Sequence, residues 1–89
     1  DIKGYEDLYE ISNKGRVWSK KHRVYLSQYI EDDVYCTSLS KDNKRRRFAI
    51  GRLIAIHFID NPDGLRYVVY VDDNRLNNSL ENIRWSRTK

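Results

Sequence analysis

Eighty-nine residues with 39 % hydrophobic content, seven Tyr and two Trp suffice for one domain with a thin core, and are too apolar for a disordered tail. No apolar run is long enough to cross a bilayer and no signal-peptide pattern is present, so no membrane partner is expected. One Cys and two His exclude an internal disulfide and a zinc site within one chain, and Cys36, in an alternating apolar stretch, reads as a buried small hydrophobe in a reducing, intracellular compartment (cytoplasm or nucleoid).

In chain order, Gly4-Tyr5-Glu6-Asp7-Leu8 is a turn-rich entry, and residues 9–11 are short and β-prone. Ser12-Asn13-Lys14-Gly15 supplies turn chemistry, and Arg16-Val17-Trp18-Ser19 resumes as a strand, so residues 9–19 predict a hairpin. After a basic loop, residues 24–30 predict one strand, Glu31-Asp32-Asp33 a turn, and residues 34–39 a strand rich in Tyr, Cys, Thr and Leu. Residues 41–44 turn the chain again into a strand over 45–50. The period then changes: Ile50, Leu53, Ile54, His57 and Phe58 fall at helical spacing, predicting a short helix over 52–58 that ends at Asn61-Pro62-Asp63-Gly64. A strand over 67–71, a polar loop to Asn78, a helical turn over 79–82 and a strand over 83–86 complete an α+β chain. His57 reads as a hydrogen-bonded core histidine, His22 as a surface or phosphate-contacting residue, and Trp18 and Trp85 as core groups.

The net charge of +4 is modest, but ten of the seventeen basic residues fall in two short segments, 14–23 and 41–47. Such clustering favours an anionic polymer, and double-stranded DNA is the partner expected. Lys14, Arg16, Lys20, Lys21, Arg23, Lys44, Arg45, Arg46 and Arg47 are the candidates for phosphate or groove contact, with Arg75 and Asn77 behind them. The bland alternative is that Lys and Arg merely solvate hairpin loops.

Two segments carry a family resemblance. Gly4-Tyr5-Glu6 followed by Tyr9-Glu10-Ile11-Ser12-Asn13-Lys14-Gly15-Arg16-Val17-Trp18-Ser19 resembles the N-terminal DNA-binding module of phage-type homing endonucleases. Arg52-Leu53-Ile54-Ala55-Ile56-His57-Phe58, Asn61-Pro62 and the spacing Asp72, Asn74, Asn77-Asn78, Leu80, Asn82-Ile83, Trp85 resemble the HNH nuclease domain that follows it. The resemblance implies two parts: residues 1–50 as a β module lying along DNA, and residues 51–89 as a ββα-metal motif whose C-terminal end is cut short. The chain does not open on Met, and it reads as a fragment of something longer.

The resemblance also implies where the chemistry should sit. The family pattern Asp-His-x-Asp-Gly-Asn, aligned on Asp72 and Asn74, puts Val69 at the metal-binding Asp and Tyr70 at the catalytic His; Gly51 stands where a His commonly opens the helix. Val69 has no ligand atom, and a Tyr with an unperturbed pKa of about 10 is a poor base near neutrality. Of the named positions the motif Asn survives as Asn82, which in the family ties the loop together. Asp72 and Asp73 are weak metal candidates that read better as a solvated turn, with Asp73 in a left-handed conformation where the family has Gly. Three readings follow: a degenerate HNH protein that binds duplex DNA without cutting and has no cofactor; a Mg- or Mn-dependent nickase working through unconventional residues or a missing C-terminal part; and a protein-binding module or inhibitor, of unknown partner, that keeps the fold.

Overall fold

Two-residue turns set the register in the middle of the chain. Asp32-Asp33 take φ of 54° and 64°, and Asp42-Asn43 take 54° and 63°. Positive φ at both central residues is the type I′ geometry, whose twist matches that of paired strands, and Asp and Asn tolerate it better than other non-glycine residues. The flanking strands β4 (Tyr29–Glu31), β5 (Val34–Lys41) and β6 (Lys44–Ala49) therefore pair without slip, Glu31 opposite Val34 and Lys41 opposite Lys44. The computed structural model describes residues 1–88.

Upstream, β1 (Tyr9–Ile11), β2 (Val17–Ser19) and β3 (Val24–Tyr25) form a separate antiparallel sheet in that order. Ser12 closes its first turn, its Oγ accepting from the backbone N–H of Lys14 (3.3 Å) and Arg16 (3.1 Å). Gly15 has φ of 84°, and a Cβ there would lie 2.9 Å from Ile50 Cγ2, so both conformation and space require glycine.

The single strand expected over 24–30 is a correction. Val24–Tyr25 pairs with β2 and Tyr29–Glu31 pairs with β5, so the first half holds two three-stranded sheets. The break at 26–28 is built from bonds that no local residue type announces. Leu26 N–H donates to Val17 O (2.8 Å), Gln28 Nε2 to Gly15 O (2.7 Å) and Thr37 Oγ1 to Ser27 O (3.2 Å).

β6 runs directly into α1 (Ile50–Phe58), which begins two residues before the spacing predicts. The helix buries Ile50, Gly51, Leu53, Ile54 and Ala55, the i, i+3, i+4 stripe of an amphipathic helix. Around it lie Ile2, Ile11, Val17, Leu39 and Ile83, so one core draws on every part of the chain. Truncating the fully buried Ile54 to Ala should cost about 2–5 kcal/mol. Asn61 closes the following turn with both ends of its amide, exchanging 2.8 Å hydrogen bonds with the backbone of Leu65. His57 is structural, as expected: Nδ1–H donates to Leu53 O (2.7 Å) and Nε2 accepts from Lys3 N–H (2.8 Å).

β7 (Tyr67–Tyr70) and β8 (Ile83–Ser86) form a two-stranded antiparallel sheet against the helix, with a 3-10 turn, Leu80–Asn82, leading into β8. Cys36 is buried and free. Burial pushes its thiol pKa up, which disfavours the thiolate form.

Candidate nucleic-acid interface and nuclease-like site

The loop between β7 and β8 is held by its own side chains. Asp72 Oδ1 accepts from Asn74 N–H (2.8 Å), Asn74 Oδ1 from Leu76 N–H (3.1 Å) and Asn77 Oδ1 from Ser79 N–H (3.2 Å). Each is an Asx turn, a carbonyl or carboxylate capturing the backbone donor two residues on. Asn82, buried, ties these turns to β7. Its Oδ1 accepts from Asp72 N–H (3.0 Å), and its Nδ2 donates to Asp72 Oδ1 (2.9 Å) and Asn77 O (2.9 Å). Asp72 Oδ2 accepts from Asn77 Nδ2 (3.0 Å). These donors, the Asn77 amide foremost, hold the Asp72 carboxyl below the usual carboxylate range. Asp73 has φ of 60°, the left-handed conformation its position demands.

The strand entering this loop is different. Val69 lies opposite Arg84 and Tyr70 opposite Ile83, so alternation turns Tyr70 towards the helix and Val69 away from it. Tyr70 occupies the space above Gly51. A Cβ on Gly51 would collide with the Tyr70 hydroxyl and lie 3.0 Å from Cζ and 3.1 Å from Asn78 Oδ1. Burial pushes the Tyr70 phenol above its ordinary pKa, only partly offset by Arg75, so it is further from a general base than free tyrosine. Asn78 Oδ1 faces the same cell and has no hydrogen-bond partner among the described residues.

A divalent cation does not fit this donor set. The Val69 side chain offers no oxygen, Tyr70 a protonated phenol packed over glycine, and Asp72 a carboxylate already accepting three donors. Among the described residues, no cluster of three or more His, Cys, Asp or Glu side chains is arranged to hold a metal.

The basic residues divide by what already holds them. Lys20 is tied to Asp1 (2.8 Å) and Glu6 O (2.6 Å), with Glu10 at 3.9 Å. Arg47 pairs with Glu31 and reaches Asp32 at 3.9 Å. Arg46 lies over the Phe48 ring at 5.4 Å, its charge still exposed. Lys14, Lys21, Arg23, Lys44, Arg45 and Arg75 are exposed. Lys14 shares an open cleft of about 610 Å³ with Gln28, Asn78 and Glu81, which brings the first basic turn beside the β7–β8 loop. Lys21 and His22 line another, of about 520 Å³, with Tyr5 and Lys41. Asn77 is committed at both ends of its amide to the loop.

Trp85 is core-packed as expected, its Nε1–H donating to Ile59 O (3.2 Å). The same expectation fails for Trp18. Register sets Glu10, Trp18 and Tyr25 side by side on the outer face of the first sheet, because Ile11, Val17 and Ser19 take the inner one. Alternation in the sequence paired Arg16 with Trp18 against Val17 with Ser19. A buried serine beside a half-buried tryptophan inverted the choice of face that hydrophobicity alone would make.

A family model described as the NUMOD4 motif matches residues 1–69. The DNA endonuclease I-HmuI of Bacillus phage SP01 is 40 % identical over 90 aligned positions, spanning 100 % of this chain and 52 % of that protein. An uncharacterized HNH endonuclease of Acanthamoeba polyphaga mimivirus is 40 % identical over 83 residues, 93 % of this chain and 25 % of that protein. A solved structure of DNA binding and cleavage by the HNH homing endonuclease I-HmuI matches with a TM-score of 0.87 at 41 % identity, over 97 % of this chain and 50 % of that one. The chain therefore spans about half of one relative and a quarter of the other.

Proposed function

Because the chain belongs to the HNH homing-endonuclease family and carries its NUMOD4 motif, we propose that it binds double-stranded DNA inside the cell and does not cut it. Residues 1–50 act in this reading as the module that lies along the duplex, through Lys14, Arg16, Lys21, Arg23, Lys44, Arg45 and Arg46. Lys20 and Arg47 join only by exchanging their present carboxylate partners for phosphate. Residues 51–89 act as the frame of an HNH site, with Arg75 reaching the backbone beside it.

The observation that carries the second half of the proposal is the cell formed by Gly51, Tyr70 and Asn78. Two positions where the family resemblance implies histidine are filled together, a glycine below and a half-buried phenol above, and the space between them is closed. Hydrolysis of a phosphodiester needs a base able to take a proton from water near neutral pH, and a high-pKa phenol does not supply one. The support for DNA binding is the exposed basic turns together with the relatives, which are themselves named as DNA-cutting enzymes.

A binding and nicking assay on a random-sequence duplex, with and without Mg²⁺ or Mn²⁺, tests both halves. The expected result is affinity whose logarithm falls linearly with the logarithm of salt concentration, and no nick under either condition. Metal-dependent nicking by the purified chain overturns the non-cutting half. No binding to any duplex at low salt overturns the DNA half and leaves a protein-binding role.

A further inference from the structure

We propose that the outer face of the first sheet is a seat for an unpaired DNA base, formed by Arg16, Trp18 and Tyr25, so that the chain prefers DNA carrying an unstacked nucleotide over intact duplex. The proposal rests on the DNA-binding reading above and goes beyond it in the kind of DNA recognised.

Trp18 and Tyr25 are direct cross-strand partners on this face. The Trp18 and Tyr25 rings lie 4.9 Å apart at 69°, a corner and not a stack. A planar group can therefore lie flat on one ring while meeting the other at its edge. Arg16 places its guanidinium 5.3 Å from the centre of the Tyr25 ring, adding a cation at the same corner. Tyr25 nevertheless remains 57 % exposed. The two side chains line an open cleft of about 320 Å³ together with Arg16, Glu10, Ile11 and Ser12. Glu10 is the residue opposite Trp18 in register, and its exposed carboxylate is an acceptor for a base N–H, the N3–H of thymine included.

An unpaired base fits this corner better than a paired one for a simple reason. In intact duplex the faces of the bases are covered by their neighbours, and only edges and phosphates are offered to a protein. Ring faces become available once a base is unstacked, and aromatic corners beside cations are how sequence-tolerant binders take such bases. The charge around the corner suits a strand running across it. Lys14 lies in the turn at one end of the short strands and Lys21 and Arg23 in the turn at the other, all exposed. The backbone of a crossing strand would meet cations on both sides of the base.

The test compares a blunt duplex with the same duplex carrying one unpaired thymine bulge, by fluorescence anisotropy, for the wild-type chain, Tyr25→Ala and Tyr25→Leu. Tyr25 sits in a two-residue edge strand, and Leu keeps an apolar contact with Trp18 without the ring, so a loss of fold in one variant is checked by the other. The wild type should bind the bulged duplex about 5- to 150-fold more tightly, the range that stacking on an aromatic ring provides. Both variants should lose that preference while keeping the blunt-duplex affinity. Equal affinity of the wild type for the two duplexes overturns the proposal and leaves DNA binding standing, as does a preference that survives in both variants. Absence of binding to either duplex overturns it together with the DNA reading.

Discussion

β7 and the loop that follows it belong to one hairpin and make opposite use of their side chains. In the loop, Asp72, Asn74, Asn77 and Asn82 spend their polar atoms on one another and on backbone donors two residues on. In the strand, Val69 and Tyr70 contribute nothing polar to that network; Tyr70 joins it only through its backbone carbonyl, which accepts from Asp73 N–H at 3.0 Å. The frame of the motif is therefore self-supporting. A hairpin whose shape does not depend on its reacting groups can lose those groups and stay folded, which is the physical condition for a nuclease fold to persist as a binding module.

The most direct way to break this contrast is Asn82→Ala. Three hydrogen bonds go at once and leave the partly buried Asp72 N–H and Asn77 carbonyl without those partners, so stability should fall by about 2–3 kcal/mol. For a domain of this size that is a midpoint roughly 10–20 °C lower in thermal denaturation. A shift of only a degree or two would mean that the loop is held by something else. Next in size is Gly51→Ala, which drives a methyl group into Tyr70 and should cost about 1–3 kcal/mol. The same change in a Tyr70→His background should cost less, because the shorter ring withdraws from the glycine. A double-mutant cycle in urea should give a coupling of about 0.5 kcal/mol or more. Strict additivity would show that the two positions are not one packing unit.

The loop also predicts a pH signature. The folded-state pKa of Asp72 is depressed, by its hydrogen bonds to Asn77, Asn74 and Asn82, below its unfolded value near about 3.9. Its contribution is then present above the unfolded pKa and lost as pH falls through the folded one. Denaturant midpoints measured from about pH 6 down to about pH 2 should place Asp72→Asn below the wild type at the upper end, and the two curves should converge under acid. Parallel curves would remove Asp72 from the acid response.

These elements were unequally legible in the sequence. The loop was readable as a polar turn because its Asp and Asn side chains act on neighbours two positions away, and the left-handed Asp73 was implied by the family resemblance, which has Gly there. Turns at Glu31-Asp32-Asp33 and at 41–44 were readable from their Asp and Asn content, but the type I′ geometry at Asp32-Asp33 and Asp42-Asn43 came with the backbone angles. What escaped was long-range. The break at 26–28 depends on Gly15 and Thr37 from other strands, and the start of α1 at Ile50 depends on β6 running straight into it without a capping side chain. Val69 and Tyr70 were marked by the family resemblance, which puts the metal-binding Asp and the catalytic His at their positions, but the closing of Tyr70 over Gly51 needed coordinates, since the two lie on different elements far apart in the chain. Among the cations, charge clustering found the segments and could not tell Lys20 and Arg47, held by carboxylates, from Lys44 and Arg45, which among the described residues are not.

That last distinction gives the smallest effect and the finest test of the division between frame and interface. Removing one cation that neutralises a phosphate should reduce the slope of log K against log salt by about 0.9. Arg45→Ala and Lys44→Ala should each show that reduction, because both side chains are exposed and make no salt bridge among the described residues. Lys20→Ala should change the slope less: its ammonium already neutralises Asp1 and caps Glu6 O, and removing it frees a carboxylate that repels the same polymer. The weaker binding should then be seen mainly as a uniform offset across salt concentrations, accompanied by some loss of thermal stability as the N-terminal segment loosens. If Lys20→Ala instead gave the full reduction in slope with no change in midpoint, its ion pairs would have to open on binding, and the interface would extend over the N-terminal edge of the first sheet.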